Sequence, residues 1–338
     1  MTKRHIFIFN CLLFLTFISK ETRAQNPLFP NSVVSNDIDF IIDTDSDTFT
    51  SLTYLGLGNK EMPGAPNGGG LFDFGTFIFN VSFSDNETLE IWCHSTFLTQ
   101  EAAQEYANKL CPRLGKLPVF QRNLLNHVVI HNGDGGAFAE IEGQFFILYS
   151  ENMDARISTN DLEETVFHES VHASYQFMYE NDSAWIDAQA ADAPAFVTEY
   201  GQDNPDLEDM AESALFAYTY IVHPGRLSAE IETWLEENIP NRLDFFRTIY
   251  FATTHIGEEV NPSNIRISPN PANDWINIKL SSGEKLLNVQ TYDYKGRLVY
   301  SSNSTNLQIS VRDFGKGLFF FLIMTDKGTY IEKIIVVE

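Results

Sequence analysis

Apolar and polar positions change rhythm along this chain, and each rhythm predicts its own kind of element. Between roughly residues 37 and 150 they mostly alternate, which reads as strands. Phe77–Phe83 (FIFNVSF) and Leu89–Phe97 (LEIWCHSTF) pair as neighbouring strands, with a helix expected from about Gln100 to Leu110. The short apolar runs His127–His131 (HVVIH) and Phe145–Tyr149 (FFILY) have strand length and composition. After residue 160 the period becomes helical. Asn160 with Glu163 reads as a capping box, Asp161, Glu163 and Glu164 suit the positive end of the dipole, and neither Gly nor Pro interrupts 161–180. Phe167, Val171 and Tyr175 would bury one face of that helix, leaving His168 and His172 on the adjacent face. Alternation returns from residue 265 with regular turn signals, the pattern of a small β-sandwich.

The helix over 161–180 contains His168-Glu169-Ser170-Val171-His172, an H-E-x-x-H run. Two imidazoles one turn apart face the same way, which suits zinc, and Glu169 between them lies where a carboxylate can take a proton from water. Such a site needs another ligand. The elongated motif with a further Gly and His is excluded, because Tyr175 and Met178 stand at those positions. Downstream, Asn204-Pro205 makes a turn before Glu208-Asp209-Met210-Ala211-Glu212-Ser213, which opens a second helix with Glu208 and Glu212 one turn apart. Packed against the first helix, it would present Glu208 to the metal and leave one position open. Glu212 would hydrogen-bond a ligand histidine from behind. The competing readings are surface histidines that happen to flank a glutamate, and a solvated acidic helix face of the kind an acidic chain produces often.

The H-E-x-x-H run followed by Tyr200-Gly201 with Asn204, and by Glu208 with Ala211-Glu212, resembles the catalytic domain of anthrax lethal factor and its bacterial relatives, which are zinc metallopeptidases. The resemblance spans residues 110 to 250. It includes Leu114-Gly115-Lys116-Leu117-Pro118 and the two strand-like runs that lead into the helix. It implies an α+β, zincin-like catalytic domain with a mixed sheet, an active-site helix and a helical C-terminal half. It also implies His168, His172 and Glu208 as Zn2+ ligands, Glu169 as general base and Tyr200 as hydroxyl donor to the developing oxyanion. Tyr200 stands one residue further from Glu208 than its counterpart does in lethal factor. The implied reaction is metal-assisted hydrolysis of a protein or peptide substrate, with Glu169 passing the water proton to the leaving amine.

Both ends of the chain bear on where this happens. Residues 1–24 begin with Lys3 and Arg4, run apolar from Ile6 to Ile18 and close on Thr22-Arg23-Ala24, as a Sec signal peptide does. The apolar run is short for a membrane span, Cys11 has no lipobox around it, and no other stretch is suited to crossing a bilayer. The C-terminal segment contains Ile267-Ser268-Pro269-Asn270-Pro271, Trp275-Ile276-Asn277-Ile278, Tyr292–Val299, Gly317–Phe321 and Lys333–Val337. In these it resembles the type A sorting domain of type IX secretion in Bacteroidota-type bacteria, an Ig-like β-sandwich that directs export across the outer membrane. The expected division is therefore a signal peptide at 1–24, a catalytic domain at 25–257, a linker at 258–264 and a sorting domain at 265–338. The expected location is extracellular or at the outer-membrane surface, with the type IX machinery as partner. Whether a propeptide occupies Gln25 to Phe40 is left open.

The formal net charge is −24, and loss of residues 1–24 would make it more negative. Nucleic acid and anionic membranes are poor partners for such a chain. Once Cys11 is removed, Cys93 and Cys111 remain, as one disulfide or as two buried thiols. Asp43–Asp47 echoes a calcium loop, but Thr48 and Tyr54 stand where that loop needs Gly and Glu, so it reads as an acidic loop. Gly68–Gly70 lacks the Lys-Ser/Thr of a phosphate cradle. His127 and His131 lie too far apart on a strand to share one ion, and His223 falls in a loop. Two functions remain open: a secreted zinc endopeptidase, or a secreted or surface binding protein on a zincin-like scaffold. Glu169, a base that a scaffold does not need, favours the first.

Overall fold

A computed structural model describes residues 27–66, 70–254, 265–280, 283–293, 298–302, 305–326 and 329–337. The expected signal peptide at 1–24, the expected linker at 258–264 and most of the glycine run lie outside the described residues. The alternating stretch at 77–83 is the inner half of β2 (Phe72–Phe83), with Phe77, Phe79, Val81 and Phe83 all buried. It pairs antiparallel with β1 (Phe49–Glu61) and with β3 (Thr88–Cys93), setting Phe79 opposite Ile91 and Val81 opposite Leu89. β4 (His127–His131) runs parallel to β3, and β6 (Phe145–Tyr149) runs parallel to β4. The short β5 (Phe138–Glu140) closes the sheet antiparallel to β6, giving a mixed order β1-β2-β3-β4-β6-β5. Continuous apolar runs in β4 and β6 are required because both faces of the central strands are covered. Val128, Ile130, Phe146 and Leu148 enter the main core, while Val129 and Ile147 join Met62 and Tyr149 on the other face. There the His127 ring stacks between Trp92 and Phe145, at 3.5 and 4.3 Å between centroids. Burial and the charge of Lys60 push its pKa down to about 3.

Helix α1 (Gln100–Lys116) continues past Pro112, where the sequence predicts an end near Leu110. A proline inside a helix costs roughly 3 kcal/mol. Leu110, Cys111 and Leu114 are fully buried around it, and burial of a leucine contributes roughly 1.5–3 kcal/mol. The core therefore outweighs the break. α2 (Val119–Leu124) follows, and α3 (Ser150–Thr159) leads into the helix that carries the motif.

The start of that helix differs from expectation. Asn160 is not its N-cap; it sits in the left-handed region at φ 68° and terminates α3. Asp161 occupies the N-cap position of α4 (Leu162–Val171), without a side-chain cap. The capping box fails because its acids are engaged elsewhere. Glu163 pairs with Arg113 and Lys116, at 3.3 and 3.5 Å, and Glu164 accepts from the Phe40 and Ile41 amides. Nor does α4 bury one face only: every residue from Leu162 to Gln176 is buried. One-sided patterning describes a surface helix, and α4 is enclosed by the sheet and the later helices. It passes into a π turn at His172–Gln176 and ends as α5 (Phe177–Tyr179).

The helical half continues with α6 (Ser183–Ala191), α7 (Glu199–Asp203), α8 (Asp209–Val222), α9 (Ala229–Asn238) and α10 (Pro240–Thr254). α10 is fastened to the first turn of α8 by Arg242, whose buried guanidinium lies 2.8 Å from Asp209 and 3.7 Å from Asp192. His223 follows the last turn of α8. In the acidic loop Asp45 meets Arg226 through two contacts of 2.6 Å, a structural use of that carboxylate. Cys93 and Cys111 are free and buried; the disulfide alternative is not what the fold forms. Burial, with Asp47 nearby, pushes the Cys111 thiol up to about 12.

The C-terminal strands are β7 (Arg266–Ser268), β8 (Trp275–Lys279), β9 (Leu286–Asp293), β10 (Leu298–Ser302), β11 (Gln308–Ser310), β12 (Gly317–Thr325) and β13 (Thr329–Val336). They form two antiparallel sheets, β10-β9-β12-β13 and β11-β8-β7, around Ile276, Ile278, Phe319, Phe321 and Ile323. β12 is buried on both faces, which explains its unbroken apolar run. Phe320 and Leu322 point away from the sandwich into the main core, where Phe320 meets Phe177 edge-on at 5.7 Å. No helix among the described residues is long and apolar enough to cross a membrane.

Candidate metal centre

The end of α4 aims two imidazoles into one space. His168 and His172 are both buried, and their Nε2 atoms stand 3.1 Å apart. Glu208 comes from the N-cap position of α8, a helix start held in place by the Arg242–Asp209 pair. Its Oε2 lies 3.3 Å from the Nε2 of His168 and 3.3 Å from that of His172. These three are the one group of His, Cys, Asp or Glu side chains, among the described residues, able to hold a metal ion together.

The donor set fits zinc. Bonds of about 2.0–2.1 Å in a tetrahedron place neighbouring ligand atoms about 3.3 Å apart, close to the 3.1, 3.3 and 3.3 Å observed. Glu208 Oε2 is buried with no hydrogen-bond donor of its own. Its other oxygen accepts from the Tyr200 hydroxyl at 3.0 Å. A buried acceptor without a donor is costly, and a cation between the three ligand atoms would satisfy it.

The surroundings set the charges. Burial alone would lower the pKa of His168, but Glu208, Glu169 and Glu212 around it raise it to about 9. Burial opposes ionisation of Glu208, and the two histidines 3.3 Å from its Oε2 overcome this and hold its carboxyl below the usual range. Glu169 shifts upward: burial raises its pKa against the pull of His168 and His172, and the Glu208 charge adds to the rise. Its carboxyl is almost fully buried and within electrostatic reach of His168, His172 and Glu208. Tyr200 is pushed up to about 12 by burial and by the Glu208 charge, so it remains a phenol donor at neutral pH.

The sequence-derived residues are therefore gathered, with two differences in detail. Tyr200 directs its hydroxyl to the Glu208 carboxylate, and the residue is 42% exposed. Glu212 faces His168 Nδ1 at 3.6 Å, beyond hydrogen-bond length, and instead accepts from the Ser32 hydroxyl, the Val33 amide and the Thr198 hydroxyl. One residue escaped the sequence reading. Gln176 Oε1 lies 2.5 Å from His172 Nδ1, so that with Nδ1 donating to the amide oxygen the His172 Nε2 lone pair is directed toward His168 and Glu208. Its four-residue offset from His172 is the sole sequence signal, and an offset of that kind is common on any helix.

Residues 266–337 match the family described as the secretion system C-terminal sorting domain. That domain marks the chain for export by type IX secretion to the cell surface or the exterior. No curated protein matches the chain. Among solved structures it is similar to PorZ, described as an essential surface component of the type IX secretion system of Porphyromonas gingivalis. That similarity has 20% identity and a TM-score of 0.19, and covers 25% of this chain and 13% of PorZ.

Proposed function

We propose that this protein is a secreted zinc-dependent metallopeptidase whose zincin-like domain, at residues 25–257, hydrolyses peptide bonds after export by type IX secretion. The observation that carries this reading is the meeting of His168, His172 and Glu208 at tetrahedral-edge distances beside a buried Glu169. In it, His168 Nε2, His172 Nε2 and Glu208 Oε2 would hold the metal. Bound there, zinc would supply Lewis acidity toward a water and a peptide carbonyl. Glu169 takes the water proton and returns it to the leaving amine. Tyr200 is the hydroxyl donor for charge developing on the carbonyl oxygen. β5, an antiparallel edge strand packed beside α4 and the π turn, suits an extended peptide that adds its backbone to the sheet.

The alternative, a binding protein on the same scaffold, is favoured by one observation: the Tyr200 hydroxyl is already engaged by Glu208. The test uses the purified chain, its metal content, and cleavage of casein and a peptide library with and without chelator. The peptidase reading expects one zinc per chain, chelator-sensitive cleavage, and a Glu169→Gln variant that keeps zinc but loses about 10²–10⁴-fold in rate. Zinc retention without cleavage of any substrate would favour the binding protein. Absence of zinc would remove the peptidase reading.

A further inference from the structure

The segment before β1 lies against both helices that carry the candidate ligands. Leu28 and Phe29 donate their amides to Phe196 and Val197, and Phe29 accepts from the Glu199 amide at 2.9 Å, so the chain adds a short parallel bridge beside Thr198. Ser32 Oγ then donates to Glu212 Oε1 at 2.5 Å and the Val33 amide donates to Glu212 Oε2 at 2.9 Å, across about 180 residues of sequence. Further on, the Phe40 and Ile41 amides both donate to Glu164 Oε1 at 3.1 Å, one helical turn before His168. Phe29 stacks on Phe216 of α8 at 5.5 Å and Phe40 meets the same ring edge-on at 4.8 Å. Val33, Phe40 and Ile41 are buried in the main core.

Glu212 is wholly buried and is the nearest carboxylate to His168 Nδ1, a ring nitrogen with no hydrogen-bond partner of its own. Three donors fix its orientation: Ser32, Val33 and Thr198. The Thr198 hydroxyl also accepts from the Gly201 amide at 3.0 Å, which ties the same carboxylate to the short helix that presents Tyr200. Loss of the Ser32 donor leaves Oε1, the oxygen facing His168, without a donor from the protein.

We propose that residues 28–41 clamp the candidate metal centre, and that Ser32 is a positioning residue that aims Glu212 at His168. This rests on the metallopeptidase reading. Partners behind a ligand histidine typically contribute 10–100-fold in metal affinity, so Ser32→Ala is expected to weaken zinc binding by about tenfold.

The experiment is a chelator-competition titration of zinc on the full chain, run for wild type, Ser32→Ala, Ser32→Thr, Glu212→Gln and the Ser32→Ala/Glu212→Gln pair. Thermal unfolding in excess chelator accompanies it as a control on folding. The clamp expects tenfold loss in Ser32→Ala, recovery in Ser32→Thr, and less than about twofold further loss when Ser32→Ala is added to Glu212→Gln, since both act through one carboxylate. A merely structural Ser32 gives losses that multiply in the double variant, and that result overturns the proposal, as does an unchanged constant in Ser32→Ala. If Ser32→Ala unfolds, Ser32→Gly is read in its place by the same criteria. Wild type that binds no zinc would sink the metallopeptidase reading and the clamp together; wild type that binds zinc while the cycle is additive sinks the clamp alone.

Discussion

Gln176 Oε1 sits 2.5 Å from Nδ1 of His172, across the π turn that follows the motif helix. The two candidate ligand histidines are thus supported differently: a neutral amide behind His172, and a carboxylate near His168. Widened turns of this kind are frequent at functional sites. Gln176→Leu removes the acceptor at similar volume and is expected to lower zinc affinity by about 10–100-fold. Competition with a chelator measures it, and an unchanged constant would show that the amide does not orient the ring.

Tyr200→Phe separates two uses of one hydroxyl. If the phenol stabilises charge on the reacting carbonyl, kcat falls about a hundredfold while zinc affinity changes little. If it serves only to hold Glu208, zinc affinity falls and kcat at saturating zinc is preserved. Steady-state kinetics beside a zinc titration distinguish these outcomes.

Glu164 supplies a pH dependence independent of the metal. Burial raises its pKa from the ordinary carboxyl range to about 7, and the Ile41 amide only partly offsets this. Its folded form therefore holds a proton more tightly than its unfolded form, so this group favours folding below about pH 4.5 and that contribution is lost as pH rises through about 7. Glu164→Gln keeps a carbonyl for the Phe40 and Ile41 amides and carries no charge. Its melting temperature relative to wild type should rise between pH 5 and 8. A flat difference across that range would refute the shift.

Phe320 probes the seat of the sorting domain. It is fully buried, faces away from the sandwich core and meets Phe177. Phe320→Ala should cost about 3–5 kcal/mol and speed proteolysis between the two parts. The equivalent change at exposed Leu287 should cost little. Calorimetry of both variants provides the check.

The local elements were legible because their causes are local. A four-residue offset puts His168 and His172 on one side of a helix wherever that helix lies, and alternation marks β2 and β3 whatever covers them. The C-terminal sandwich was readable for the same reason, although the run Phe319–Ile323 showed alternation broken by a second buried face. Errors arose where a distant group competed with a neighbour. The acids meant to cap α4 from Asn160 are taken by Arg113, Lys116 and the amides of Phe40 and Ile41. Pro112 failed to end α1 because the core holds the following turn.

From the chain alone came the identity of the chemical groups, the helix pair that bears them and the sorting domain that exports them. Only the tertiary structure decided that Glu208 meets both histidines at 3.3 Å, that Gln176 stands behind His172, and that Ser32 and Val33 grip Glu212. The reason is physical: residue periodicity specifies which side of an element a side chain leaves from. Distances between elements are set by packing and by buried partners such as Arg242 and Asp209, which pair across the fold.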